Sequence, residues 1–193
     1  GQPDAAIHEY DLVREMSPNS ATSYVELARA YLRHNRLQSA EQAFRSALQR
    51  SPGYASARFG LADLLAEQGR APEAVEQLHA LLLTDPDNSQ AYFQLGRISY
   101  GQKHYDEALR NYQKVLAVNQ HSSPETWLNI GLVYSAQKLP DKALQAYQTA
   151  LQQQTQYPEA WYNMALAWQD KKQTAEAVNA LNRALKLKPD YPR

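Results

Sequence analysis

Apolar and small residues recur along the whole chain at spacings of three and four, in runs of about 14 residues separated by short polar turns. That spacing predicts amphipathic helices throughout, and the helical runs themselves repeat. Tyr24, Tyr92, Trp127 and Trp161 fall into register, with Arg58 at the remaining matching place, at steps of 34, 34, 35 and 34. Three and four residues further on stand Leu27-Ala28, Leu61-Ala62, Leu95-Gly96, Ile130-Gly131 and Met164-Ala165. Tyr31, Leu65, Tyr134 and Trp168 continue the same face, with Ser99 the one departure. A second helix in each unit carries Ala40, Ala74, Ala108, Ala143 and Ala177. Four residues later come Phe44, Leu78, Tyr112, Tyr147 and Leu181, then Ala47, Leu81, Val115, Ala150 and Ala184. A fixed period in this range signals stacked units, none of which buries its apolar face alone.

The small residues at Ala28, Ala62, Gly96, Gly131 and Ala165 let the two helices of a hairpin approach closely, and the bulky columns fill the space between neighbouring units. Asn35 and Gly69 suit the left-handed conformation that ends a helix. Pro72 and Pro140 fall in the first turn of second helices, where a missing N–H costs little. Ser123-Pro124-Glu125 reads as cap, first-turn proline and dipole-matched acid. Pro52, Pro86 and Pro189 close three units, while Gln120 and Thr155 take the place of proline in the other two.

These columns resemble the tetratricopeptide repeat, whose pattern is a bulky aromatic, Leu-Gly, Tyr, then Ala, Phe, Ala and Pro. The resemblance covers essentially the whole chain. It implies an all-α, right-handed solenoid of stacked antiparallel helical hairpins. The expected repeats are 21–54, 55–88, 89–123 with a one-residue insertion, 124–157 and 158–191. Residues 1–20, through Ala6, Tyr10, Val13 and Pro18, match the second helix of an incomplete leading repeat. Tyr191-Pro192-Arg193 echoes Tyr157-Pro158-Glu159, the opening of a further unit, so the segment is expected to belong to a longer protein. An uncapped solenoid exposes apolar surface at its ends. Self-association is therefore expected through Val178, Leu181 and Leu185, with Ile7 and Tyr10 available at the other end.

Composition removes several alternatives. Twenty basic residues balance twenty acidic ones, so net charge recruits neither nucleic acid nor an anionic membrane. Without cysteine there are no disulfides, thiolate metal sites or cysteine nucleophiles, and either a bacterial envelope or a cytosol would accommodate the chain. No apolar run approaches the roughly 18 residues needed to cross a bilayer. His8, His34, His79, His104 and His121 share no column and form no ligand motif, so no metal site is expected. Nothing matches a phosphate loop or a nucleophile elbow. Acid pairs such as Asp106-Glu107 begin second helices, where the helix dipole accounts for them. No catalysis and no cofactor are expected.

The resemblance also implies a groove lined by first helices, facing residues one, two and five places after each bulky anchor. The first place gives Val25, Phe59, Phe93, Leu128 and Tyr162, an apolar strip expected to face the groove, the lesser alternative being that some of these side chains fold inward against their own hairpin. The next gives Glu26, Gly60, Gln94, Asn129 and Asn163. An Asn or Gln amide can donate to a peptide carbonyl and accept from the adjacent N–H, which suits an extended backbone of any sequence. Further along lie Arg29, Asp63 and Arg97, then Leu132 and Leu166. Relatives that clamp the acidic C-terminus of a chaperone use lysines and asparagines at places where this chain has Val25, Arg29, Gly60, Gln90 and Gln94, so that clamp is not expected. The reading is a protein-interaction scaffold that binds an extended peptide or a helix in the groove and organises an assembly. The alternative is a targeting arm of a larger enzyme, such as a glycosyl- or sulfo-transferase.

Overall fold

A computed structural model describes residues 20–119 and 123–190 of the chain. Within them ten helices follow one another: α1 (Ala21–Arg33), α2 (Leu37–Arg50), α3 (Ala55–Glu67), α4 (Ala71–Thr84), α5 (Ser89–Gly101), α6 (Tyr105–Val118), α7 (Pro124–Ala136), α8 (Pro140–Gln153), α9 (Pro158–Asp170) and α10 (Thr174–Leu187). They alternate between 13 and 14 residues, first helix and second helix of each hairpin. The chain divides into two compact units between Gln94 and Leu95, a division that falls within α5. The expected leading helix around Ala6, Tyr10 and Val13, the residues His8 and His121, and the closing Tyr191-Pro192 lie outside the described residues.

One turn geometry recurs between the helices of every hairpin. Asn35, Gly69, Lys103, Lys138 and Lys172 all have positive φ, between 55° and 76°. At the first, Asn35 N–H donates to the Leu32 carbonyl and Arg36 N–H to the Tyr31 carbonyl, at 3.0 and 2.9 Å. The same two bonds recur from Gly69-Arg70, Lys103-His104, Lys138-Leu139 and Lys172-Gln173. This is the Schellman arrangement, which satisfies carbonyls orphaned at a helix end. Asn35 and Gly69 suit it by residue type. The three lysines occupy it because their register demands it, each at a cost that a glycine would not carry.

Close approach inside the hairpins follows from the small column. A Cβ added at Gly96 would lie 2.5 Å from Tyr112 Cε1, and one at Gly131 would run into the ring of Tyr147. Both tyrosines are fully buried. Burial pushes the Tyr112 hydroxyl well above its ordinary pKa and the Tyr147 hydroxyl up to about 12. Tyr147 Oη lies 3.0 Å from Ser135 Oγ. Ser99, the departure from the bulky column, is buried and donates to the Leu95 carbonyl at 2.8 Å, so its hydroxyl is satisfied within its own helix.

The bulky anchors do more than fill space. Trp161 Nε1 donates to the Thr155 carbonyl at 3.1 Å, and Arg58 Nε donates to the Pro52 carbonyl at 2.9 Å. Each bond reaches six residues back, which explains why an arginine stands in an aromatic column. Ser123 precedes α7 as expected, but its hydroxyl pairs with Thr126 Oγ1 at 2.7 Å and makes no side-chain cap to the backbone. In the first unit, Arg70 grips Glu73 through two nitrogens at 2.6 and 2.7 Å and reaches Glu41 at 2.7 Å, tying α4 to α2. That guanidinium holds both carboxyls below their ordinary range. On α10, Val178 is exposed, while Leu181 and Leu185 are half-buried.

Candidate functional site

In the first unit a groove of about 650 Å³ runs beside α3 from Ala55 to Glu67, the full length of the helix. α1 contributes Arg29 and Leu32 to one wall, and Asn88 with Gln90 at the start of α5 forms the other. Phe44, Leu64 and Leu81, all buried, make the floor, and Phe59 stands half-buried above them. Gly60 explains how Phe44, a second-helix residue, reaches this floor: a Cβ at position 60 would lie 2.5 Å from its Cε1 and Cζ.

Polar groups along the groove are held in place. Asp63 Oδ1 accepts from Gln94 Nε2 at 2.9 Å. Arg29 donates to Glu26 Oε1 at 2.7 Å, so its charge is matched on its own helix. Asn88 caps α5, its Oδ1 accepting from Ala91 N–H at 2.8 Å while its Nδ2 donates to Asp85. Phe59, Asp63 and Glu67 follow one another at intervals of four along α3, on one face of the helix.

The structure gathers some of the expected site residues and withdraws others. Arg29, Phe59 and Asp63 line the groove, and Gln94 joins them through Asp63. Val25 and Leu128, expected on the open strip, are only 1% and 8% exposed. Leu128 packs with Leu144, Tyr147 and Met164, and a branched aliphatic side chain of this size fits wholly between the helices. Phe93 and Tyr162, with larger rings, stay half-buried. In the second unit, Asn129 and Asn163 occupy equivalent places on α7 and α9. Each donates from Nδ2 to the carbonyl four residues back, Glu125 or Glu159, at 2.8 Å. That bond fixes the amide and leaves Oδ1 and a second N–H for a ligand. Arg97 and Leu166 are exposed and Leu132 is half-buried.

One feature went unread in the sequence. Trp127, Ile130 and Tyr134 of α7 border a cleft of about 330 Å³ against α6 and α8, with Lys142 and Gln145 at its edge. The bulky columns were expected to fill the space between neighbouring units. The half-buried state of Trp127 and Tyr134 shows that they do not.

Two family models, both described as tetratricopeptide repeat, match the chain, one over residues 34–98 and 134–193 and the other over 1–55 and 93–158. The chain belongs to the tetratricopeptide repeat family. Its fold is the all-α solenoid of that family, and neither matching model describes an enzyme. No curated protein matches the tetratricopeptide chain by sequence. Among solved structures it is similar to MamA, at 22% identity and a TM-score of 0.74, covering 84% of this chain and 95% of that one. YrrB, described as a tetratricopeptide repeat protein with an unusual peptide-binding site, aligns at 20% identity and a TM-score of 0.69, over 94% and 93% of the two chains. A repeat protein from Parabacteroides merdae gives a TM-score of 0.83 at 17% identity, over 96% of this chain and 73% of that one. Among the described residues of this tetratricopeptide chain no group of three or more His, Cys, Asp or Glu is placed to hold a metal ion, and no helix is long and apolar enough to cross a membrane.

Proposed function

We propose that this chain is a protein-interaction scaffold that seats a segment of another polypeptide in the groove along α3. The observation that carries the reading is the composition of that groove: buried Phe44, Leu64 and Leu81 beneath, Phe59 above, and hydrogen-bonded polar groups at the rim. Its volume lies in the range of about 300–1,000 Å³ typical of ligand sites. An apolar centre ringed by polar groups is also the usual anatomy of a protein interface. YrrB, a structural neighbour, is a repeat protein described as binding peptide. In the second unit taken by itself, Asn129 and Asn163 offer their fixed amides, and Tyr162 a half-buried ring, to a polypeptide backbone.

The test immobilises the whole chain, captures a partner from cell extract, and titrates that partner against Phe59→Ala and Asn129→Ala. Phe59→Ala is expected to weaken binding more than Asn129→Ala. Burying an aromatic side chain is worth roughly 1.5–3 kcal/mol, against about 0.5–1.5 kcal/mol net for an amide contact. Equal binding by parent and both variants, with unchanged thermal melts, would move the interaction to another surface.

A further inference from the structure

The charges along the groove are not balanced. Of the three charged side chains that line it, Arg29 is paired with Glu26 at 2.7 Å, outside the groove lining. That leaves Asp63 and Glu67 as its unmatched charges. Asp63 accepts one neutral amide bond from Gln94, which orients the carboxylate without cancelling its charge. Glu67 is exposed and has no cationic partner among the described residues. A ligand lying along α3 therefore meets an apolar ring first, then one carboxylate, then a second.

The spacing of these three groups selects a backbone. Residues four apart on a helix are separated by about 6 Å along its axis, at 1.5 Å per residue. An extended strand advances about 6.6 Å over two residues and presents those two side chains on the same face. Along the helix axis Phe59, Asp63 and Glu67 thus keep step with positions j, j+2 and j+4 of an extended peptide beside α3, to about 1.2 Å at the far end, and the drift of about 40° per four residues calls for a strand that winds with the helix. Resting on the groove reading above, we infer that this site takes an extended segment in which an apolar side chain alternates with basic ones. The apolar side chain seats on Phe59, and a lysine or arginine lies against Asp63, with a second against Glu67. The occupant is the opposite of an acidic tail.

A random dodecapeptide library displayed on phage and selected on the whole chain tests this. The expected enrichment is an apolar residue with Lys or Arg two places away, and in the stronger binders again at four. Synthetic copies of selected peptides should bind the Asp63→Asn/Glu67→Gln double variant about three- to tenfold more weakly, the loss expected of two partly exposed charge pairs. That variant should also flatten the salt dependence of binding. Phe59→Ala should cost about tenfold or more. Ser56→Trp, placed on an exposed lining residue, should block the groove without disturbing the core. Acidic or uncharged winners would overturn the charge assignment, as would basic winners indifferent to the double variant. Either result leaves the groove standing if Ser56→Trp still abolishes binding. Selected peptides that ignore both Ser56→Trp and Phe59→Ala, or a library with no enrichment, would overturn the groove itself.

Discussion

Gly131→Ala measures how tightly a hairpin of this chain is closed. The added methyl group would enter the space held by the Tyr147 ring, whose Cδ1 would lie 2.5 Å away and Cζ 2.9 Å away. Tyr147 is fully buried, so the ring has no open side to turn toward. Two terms oppose each other. Alanine is better than glycine in a helix interior by about 0.8–1 kcal/mol. Overpacking a filled site costs about 1–3 kcal/mol, and displacing the ring forfeits about 1 kcal/mol more from the Tyr147–Ser135 hydrogen bond. The net expectation is a loss of about 1–3 kcal/mol. Gly101→Ala supplies the control, because nothing lies within 4 Å of a Cβ there and the same exchange should be neutral or stabilise by up to about 0.5 kcal/mol. The assay is urea unfolding followed by tryptophan fluorescence. Trp127, Trp161 and Trp168 all belong to the second unit, so the signal reports the part of the chain that holds Gly131. Adding Tyr147→Leu to Gly131→Ala should remove most of the penalty in a double-mutant cycle. If Gly131→Ala shifts stability in the same direction as Gly101→Ala, the close contact does not exist.

Other consequences are as direct. Ala108→Leu should destabilise by about 1–3 kcal/mol, since Ala108 has no exposed surface and the larger side chain must displace its neighbours; a neutral urea midpoint would contradict this. Lys138→Gly should stabilise by about 0.5–1 kcal/mol because the φ of 60° at that turn suits glycine, a gain readable as a higher melting temperature. Stability should also fall at alkaline pH. The folded state keeps Tyr147 protonated up to about 12, whereas the unfolded chain releases that proton near 10. The contribution is therefore fully present below pH 10 and is lost as pH rises from 10 to 12, to a total of roughly 2–3 kcal/mol. Tyr147→Phe should flatten that part of the pH profile.

The hairpin fold was legible because it rests on columns. Tyr112 and Tyr147 face Gly96 and Gly131 where the period placed them, and no long-range pairing had to be guessed. The turn column shows the limit of reading by residue type. Asn35 and Gly69 announce a left-handed residue, while Lys103, Lys138 and Lys172 reveal theirs only through register. The groove was legible in part. Phe59 and Asp63 line it, yet Val25 and Leu128 share the Phe59 column and are buried. A column fixes where a Cβ points but not how far a side chain of given size sinks between its neighbours. Partners from distant columns were beyond the sequence altogether. The reach of Phe44 beneath Gly60, the Gln94–Asp63 bond and the Arg70 grip on Glu41 each depend on the stacking of successive hairpins.

A partner polypeptide lying along α3 should be visible by backbone NMR of the whole chain titrated with a bound peptide. The largest amide shift changes should fall at Phe59, Gly60, Asp63 and Glu67, with Arg29 and Gln90 following on the facing walls. Changes centred instead on Trp127 and Tyr134 in the cleft of the second unit, with α3 silent, would contradict it.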